Sequence, residues 1–349
     1  MTPRTLCAMS GGLSLALIAT TPASAGPSRW RDVPSPALAS VVTLSDVTAT
    51  GPANAWAVGW DKAPAPVILR WNGRDWTRQP VPEGTAGRLT GVTASGPRRA
   101  WAVADPYDSP AGSAVALFWN GRTWNKVGYP ADLQPGPVSA APGRPAWSLG
   151  WNSSTNTASA LRFLGGTWVR QPVPLPAESP LWTLSARAEN DVWIGGAKRR
   201  DDGYFHPYAL HWDGRAWQEV PPPAETWTYI RKIVPVSPTS VWAYRTDLIL
   251  GQDHTLMHWD GTTWRTIPIP VAPGPQASLA DDGRGGVWVA GSAGGKSVYQ
   301  HYRDGVWTTA NGPARPDKRV SAYAITGSLW SVGDLTGEGG TTAYIERYR

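Results

Sequence analysis

The stretch that decides the fold is "ALHWDGRAWQEVPPP", residues 209–223. Two tryptophans stand five residues apart around an Asp-Gly pair, and a run of prolines follows. The stretch recurs along the chain. "ILRWNGRDWTRQPVP" begins at Ile68, "ALFWNGRTWNKVGYP" at Ala116, "ALRFLGGTWVRQPVP" at Ala160, "LMHWDGTTWRTIPIP" at Leu256 and "YQHYRDGVWTTANGP" at Tyr299. The aromatic-to-Trp spacing is five in every copy: Trp71/Trp76, Trp119/Trp124, Phe163/Trp168, Trp212/Trp217, Trp259/Trp264 and Tyr302/Trp307.

A second motif alternates with the first. It is a short apolar stretch, a turn, then "WAVG" or a relative, with tryptophans at Trp56, Trp101, Trp147, Trp193, Trp242, Trp288 and Trp330. The intervals are 45, 46, 46, 49, 46 and 42 residues. A period near 45 belongs to the four-stranded blades of a β-propeller. Each repeat reads as four short strands, such as "LTGVTAS", "AWAVA", "AVALFW" and "TWNKV" between Leu89 and Val127. Alternating apolar residues and the enrichment in Val, Thr and Trp support strands. An Asn-Gly or Asp-Gly pair between the third and fourth strands signals a tight hairpin.

If Asp213 and Gly214 are the two turn residues, Trp212 faces Arg215 and Leu210 faces Trp217. Side chains alternate along a strand, so Leu210, Trp212 and Trp217 share one face. That face is expected to pack against the neighbouring blade. Leu69, Leu117, Leu161 and Met257 hold the slot of Leu210, while Gln300 and Glu346 break the pattern.

The last repeat ends "AYIERYR", with Tyr348 in the first aromatic position and no partner five residues on. The missing half stands at the other end, where "SRWRDVPSP" (Ser28–Pro36) matches "RAWQEVPPP". Trp30 completes the set. The expected architecture is therefore all-β: a seven-bladed propeller of four-stranded blades, closed by an N-terminal strand that completes the C-terminal blade. Closing the ring this way leaves short, protected edges.

Composition agrees with short strands and many turns. The chain of 349 residues carries 22 Trp, 38 Gly and 34 Pro, and its charged residues are 17%. The N-terminus reads as a secretory signal over residues 1–25, with Arg4, the apolar stretch "LCAMSGGLSLALIA" and a small-x-small site at Ala23–Ala25. Cleavage near Ala25 would leave residues 26–349 as one propeller, secreted to the extracellular space. The apolar run is too short and too broken by Gly and Ser for a membrane span. Cys7 lies in the leader, so the mature chain is expected to have no thiol, no disulfide and no Cys metal ligand. The net charge of +6 is spread, apart from Lys198–Arg200, which argues against nucleic acid as the partner. A monomer is expected.

These repeats resemble the kelch or galactose-oxidase-type propeller repeat, in which an apolar strand ending in Gly-Gly precedes an aromatic and then a Trp. "VWIGG…ALHWDGRAW" (Val192–Trp217) fits best. The double Gly is clear at Gly195–Gly196, and the aromatic-to-Trp gap is shorter than in kelch repeats. The "HWDGRAW" hairpin is also similar to Trp-rich repeats of bacterial propeller lectins. The resemblance implies the fold. It does not imply copper chemistry of the galactose-oxidase kind, which needs a cysteine. Propellers host enzymes, lectins and docking platforms alike.

In such a ring, loops joining second to third strands share a face with the inter-blade loops. These loops vary here in length and content, whereas the loops on the other face are short and repetitive. Function lives on variable loops held by a rigid scaffold. Eighteen of the 22 tryptophans belong to the repeat, leaving Trp60, Trp151, Trp182 and Trp227. All four fall in or beside variable-face loops, where they either pad the core or serve as stacking platforms for a sugar or another flat ligand. Tyr204 joins them on the loop Gly195–Tyr208. His206 on that loop, with Asp247, Asp253 and His254 on the loop Tyr244–Thr255, could make a metal site or an acid-base pair. The competing reading is a pair of solvated loops. His211, His258 and His301 share a slot with Arg70, Arg162 and Arg347 before the third-strand aromatic, which points to a structural role. "DDGRGG" (Asp281–Gly286) lacks the spacing of a calcium loop and reads as a turn.

No nucleophile elbow, zinc-helix motif or phosphate loop is present. The expectation is a non-catalytic recognition module without cofactor or metal, binding a glycan or other small ligand on the variable face. The alternatives are an extracellular hydrolase, lyase or isomerase with its site at the channel mouth, and a scaffold that docks an extracellular protein.

Overall fold

The computed structural model describes residues 29–36, 42–61, 65–105, 114–176, 179–248, 254–274, 277–315, 319–327 and 330–348. The N-terminal segment expected to be a leader, with Cys7, and Asp253 lie outside them. The described residues form seven four-stranded antiparallel sheets and no helix. In chain order the innermost strands are Val42–Gly51, Arg88–Gly96, Gln134–Ser139, Leu181–Ala188, Thr228–Ser237, Ser278–Asp281 and Arg319–Thr326. Each touches the next, and the seventh touches the first, so the sheets stand in a ring as blades 1 to 7.

The ring closes as the chain ends imply. The strand Trp30–Asp32 adds to the outer edge of blade 7, pairing Trp30 with Tyr348, Arg31 with Arg347 and Asp32 with Glu346. Trp30 is 2% exposed and stacks on Tyr299 of blade 6 at 3.7 Å.

The repeated aromatics build the seven blade interfaces. Trp56 of blade 1 meets Trp119 and Trp124 of blade 2 at 5.0 and 5.1 Å. Trp101 meets Phe163, Trp147 meets Trp217, Trp193 meets Trp264, and Trp242 meets Tyr302. Trp288 meets Trp30 and Tyr348, and Trp330 meets Trp71 and Trp76. Edge-to-face pairs of this kind add about 0.5–1.5 kcal/mol each beyond the area they bury.

The residue paired across from each of these tryptophans lies over its ring. Arg70, Arg162 and Arg347 place their guanidinium groups 5.1, 5.5 and 4.8 Å from the rings of Trp56, Trp147 and Trp330. His211, His258 and His301 lie over Trp193, Trp242 and Trp288 at 4.3, 4.1 and 4.4 Å, and Phe118 covers Trp101. His211 and His301 also bond Asp191 and Asp282 at 3.0 and 2.7 Å, while His258 bonds Ser240. One slot thus caps the indole face with a cation, an imidazole or a phenyl ring.

The hairpin turns differ from the two-residue expectation. Trp212 pairs with Trp217 directly, so residues 213–216 form the loop. Asp213 Oδ1 accepts the amides of Arg215 and Ala216, at 2.7 and 2.8 Å. Asn72, Asn120 and Asp260 do the same in their own loops. This side-chain acceptor replaces a tight two-residue turn with a longer closed one. The pairing moves by two residues, which keeps Leu210, Trp212 and Trp217 on one face. Two-residue turns do occur at Gly165–Gly166 and Asp304–Gly305, all with positive φ.

Gln300 and Glu346 take polar partners where their counterparts are apolar. Gln300 holds Val271 by its N–H and its C=O, at 2.9 and 2.7 Å. Glu346 is fully buried and accepts from Tyr299 and Ser297 of blade 6, at 2.6 and 3.0 Å. Arg315 bridges it to Asp32 of the closing strand, with both contacts at 2.5 Å.

Candidate functional site

The seven inner strands enclose a channel of about 880 Å³. Its wall includes Trp60, Trp182, Arg231, Lys232, Ser45, Asp46 and Asp281. Bulges decide what projects into it. The pairing of inner with second strand slips between Leu44 and Asp46, Leu89 and Gly91, Leu181 and Thr183, and Ile230 and Lys232. The extra residues are Ser45, Thr90, Trp182 and Arg231, and all four line the channel. A bulge re-aims one side chain without moving the rest of the strand.

The next position inward faces the residue two beyond each second-strand tryptophan. It holds Asp46 opposite Val58, Gly91 opposite Val103, Thr183 opposite Gly195, Lys232 opposite Tyr244, Ser278 opposite Ala290 and Ala324 opposite Val332. Small or short residues dominate, with a carboxylate in blade 1 and an ammonium in blade 5. Those blades are three steps apart in a ring of seven, so the charges face each other across the lumen. The narrow ring of protein desolvates both groups, although each residue keeps part of its surface on the lumen.

Burial raises the pKa of Asp46 above the usual carboxylate value, against the pull of Lys232 and the amides of Val92 and Val47. Those amides bond Asp46 Oδ2 and Oδ1 at 2.8 and 2.9 Å. Burial likewise lowers the pKa of Lys232, opposed by Asp46 and assisted by Arg231. At the far end of the channel, burial raises the pKa of Asp281.

At the variable-face mouth, Trp182 packs on Tyr229 at 4.1 Å, and Arg231 Nη1 lies 3.5 Å from Tyr229 Oη. Trp60, paired with Thr43 and Pro66, carries the guanidinium of Arg88 at 5.5 Å. Both tryptophans are half-buried. Blades 4 and 5 thus bring an aromatic wall and two cations together, and blade 1 supplies acceptors opposite.

The other residues singled out from the sequence are spread around this face. Trp151 is half-buried in the second strand of blade 3, paired with Gln134 and Ala158. Trp227 is 40% exposed and holds a left-handed backbone, φ 59°. Its N–H bonds Phe205 O at 2.8 Å and its C=O accepts from Leu248 at 2.7 Å, which ties the long loops of blades 4 and 5 to it. A bulky residue in this conformation is strained. Tyr204, 44% exposed, meets the Trp227 ring edge-on at 5.5 Å.

His206 is buried and bonds Asp202 of its own loop at 2.7 Å. His254 bonds Tyr244 Oη at 2.5 Å within blade 5, and Asp247 ends the second strand there, paired with Thr228. Among the described residues no group of three His, Cys, Asp or Glu could hold a metal. Among the described residues there is no helix, and so none long and apolar enough to cross a membrane. "DDGRGG" is the turn between the inner and second strands of blade 6.

Asp46, Arg231 and Lys232 were not singled out by the sequence reading. Part of their signal was available: aligning the seven inner strands on the following tryptophan places "SD" in blade 1 and "RK" in blade 5 where blades 2, 3, 4 and 6 carry "TG", "GP", "WT" and "AS", while blade 7 carries "RV".

No family model matches the chain, and no curated protein matches it. Solved structures share its fold. YCF48 bound to D1 peptide aligns with 15% identity over 94% of this chain and 96% of that one, with a TM-score of 0.55. The β-propeller domain of the Trilobed protease from Pyrococcus furiosus aligns at 12% identity, covering 87% and 95%, with a TM-score of 0.57. A six-bladed fucose-recognising lectin from Aleuria aurantia aligns at 13% identity, covering 80% and 98%, with a TM-score of 0.50. At these identities the likeness is one of fold, and propeller neighbours include binders of sugars and of peptides.

Proposed function

We propose that this chain is a secreted, non-catalytic recognition propeller that binds carbohydrate at the variable-face mouth of its channel. The observation that carries the reading is the placement of Trp60 and Trp182, two surplus tryptophans, in the wall of one cavity among polar and charged groups. Aromatic faces bordered by hydrogen-bonding groups are the usual means of holding a sugar ring. Trp60 is backed by Arg88 and Trp182 by Tyr229, so both are held in position before any ligand arrives. The proposal rests on this site, and not on the kelch-like or galactose-oxidase-like look of the repeats.

A glycan array of the mature protein tests it, with Trp60→Ala and Trp182→Ala alongside. The expected outcome is binding that each substitution weakens about tenfold or more, the scale of a lost stacking contact. Binding untouched by both substitutions, or none to any glycan, overturns the reading.

Protein docking is the second reading, favoured by the exposed Tyr204–Trp227 pair, with Trp227 on strained backbone. Loss of partner capture in Tyr204→Ser with Trp227→Gly, while sugar binding is retained, would support docking instead.

A further inference from the structure

We infer that the channel selects an acidic sugar, a hexuronic acid residue, with Lys232 and Arg231 receiving its carboxylate beside Trp182. This rests on the carbohydrate reading and deepens it.

Lys232 occupies a slot that in blades 1, 2, 4, 6 and 7 holds Asp46, Gly91, Thr183, Ser278 and Ala324. A structural role at that slot is met by small residues, and a side chain crossing towards the lumen is not needed for the ring. Among the described residues, Lys232 Nζ makes no hydrogen bond and no ion pair. Asp46, whose oxygens accept the backbone amides of Val47 and Val92, makes none with it. An ammonium drawn out of water and left without a direct partner is costly. A ligand carboxylate is the partner that removes that cost.

Blade 5 brings two adjacent cations, and the neighbouring blade 4 brings Trp182 at the height of Arg231 through matching bulges. A pyranose ring bearing a carboxylate carries an apolar face and an anion next to each other, in the same order. Across the lumen, Asp46, Ser45 and Thr43 line the wall; the Ser45 hydroxyl donates to backbone carbonyls and that of Thr43 to Asp334, so these groups offer their remaining lone pairs to sugar hydroxyls. A neutral sugar would satisfy the blade 1 wall and leave Lys232 as it stands.

The test is calorimetric titration of the full mature chain with D-glucuronate, D-glucose, acetate and a uronic-acid oligosaccharide. Glucuronate should bind about tenfold tighter than glucose, the scale of a charge-assisted pair. Lys232→Met should bring the two together, and Lys232→Arg should restore the preference. Trp182→Ala should weaken both sugars.

Equal affinity for glucuronate and glucose, or a preference that survives Lys232→Met, overturns the inference while leaving the carbohydrate reading intact. Acetate binding as tightly as glucuronate also overturns it, since the site would then read an anion and not a sugar. No binding of any sugar overturns both. If the inference holds, comparison of the monomer with the oligosaccharide separates a free uronic acid from a residue within a polysaccharide.

Discussion

The outer hairpins and the inner strands of this ring have been treated in opposite ways. Outside, an aromatic pair returns in every blade, and its rings meet the preceding blade's second-strand tryptophan, edge-on in blades 1, 2, 4 and 5. Inside, equivalent positions carry Ser45, Thr90, Trp182 and Arg231, or Asp46, Gly91, Thr183 and Lys232. Repetition marks the interfaces that all seven blades must solve alike. Divergence marks the surface on which one blade is free to differ from another, and where a ligand of no sevenfold symmetry can be held.

The comparison breaks most severely at an outer position. Trp101 is fully buried between blades 2 and 3. Trp101→Ala should cost about 3–5 kcal/mol, read as a lower denaturation midpoint, with the sugar preference of any folded protein unchanged. The buried carboxylate at the seam comes next. Glu346→Gln leaves Arg315 facing an amide, and a loss of about 3 kcal/mol is expected, moderated by the Asp32 contact that Arg315 keeps. Chemical denaturation measures it.

The inner wall should respond with the opposite sign. Lys232→Met removes a desolvated charge from the channel and should stabilise the fold by about 1–2 kcal/mol while impairing recognition. Its pH signature is distinct. The folded-state pKa of Lys232 lies below its ordinary value of 10.5, with Asp46 opposite and Arg231 beside it. The unfolded chain therefore binds more protons, and stability rises with pH between the lowered value and 10.5. Subtracting the Lys232→Met curve from that of the natural chain should isolate this slope, and a flat difference would contradict it. Smallest is Asn120→Ala in the hairpin loop of blade 2. It loses two exposed side-chain-to-amide bonds that water can replace, and should cost about 0.5–1 kcal/mol in thermal melts.

The ring was legible in the sequence because it is written seven times. The 45-residue period is printed in the residue string, and the aromatic pairs and the match of Trp30 to Tyr348 each correspond to a contact in the fold. The turns were misread in size because five-residue spacing fits either a two-residue loop or a four-residue one. The acceptor role of Asp213 decides between them, and a register shift of two is invisible to a face-based pattern. Trp60 and Trp182 drew notice as surplus residues. The charges between them did not, because "SD" and "RK" inside apolar strands acquire meaning when distant blades face each other across a lumen. Bulges, likewise, are a property of paired strands and leave no mark on one strand alone.

The seam also has a mechanical meaning. Side chains stitch blades 1 to 5 in one direction: Asp46 accepts from Val92, Thr93 from Ala140, Ser139 from Ala186 and Thr183 from Ile233. That arc behaves as a continuous band. Its buckle is the three-residue strand Trp30–Asp32, held by the Trp30–Tyr299 stack and the Glu346 cluster. Blade 7 is thus completed by a handful of groups on the rim, on its outer edge and away from the channel wall.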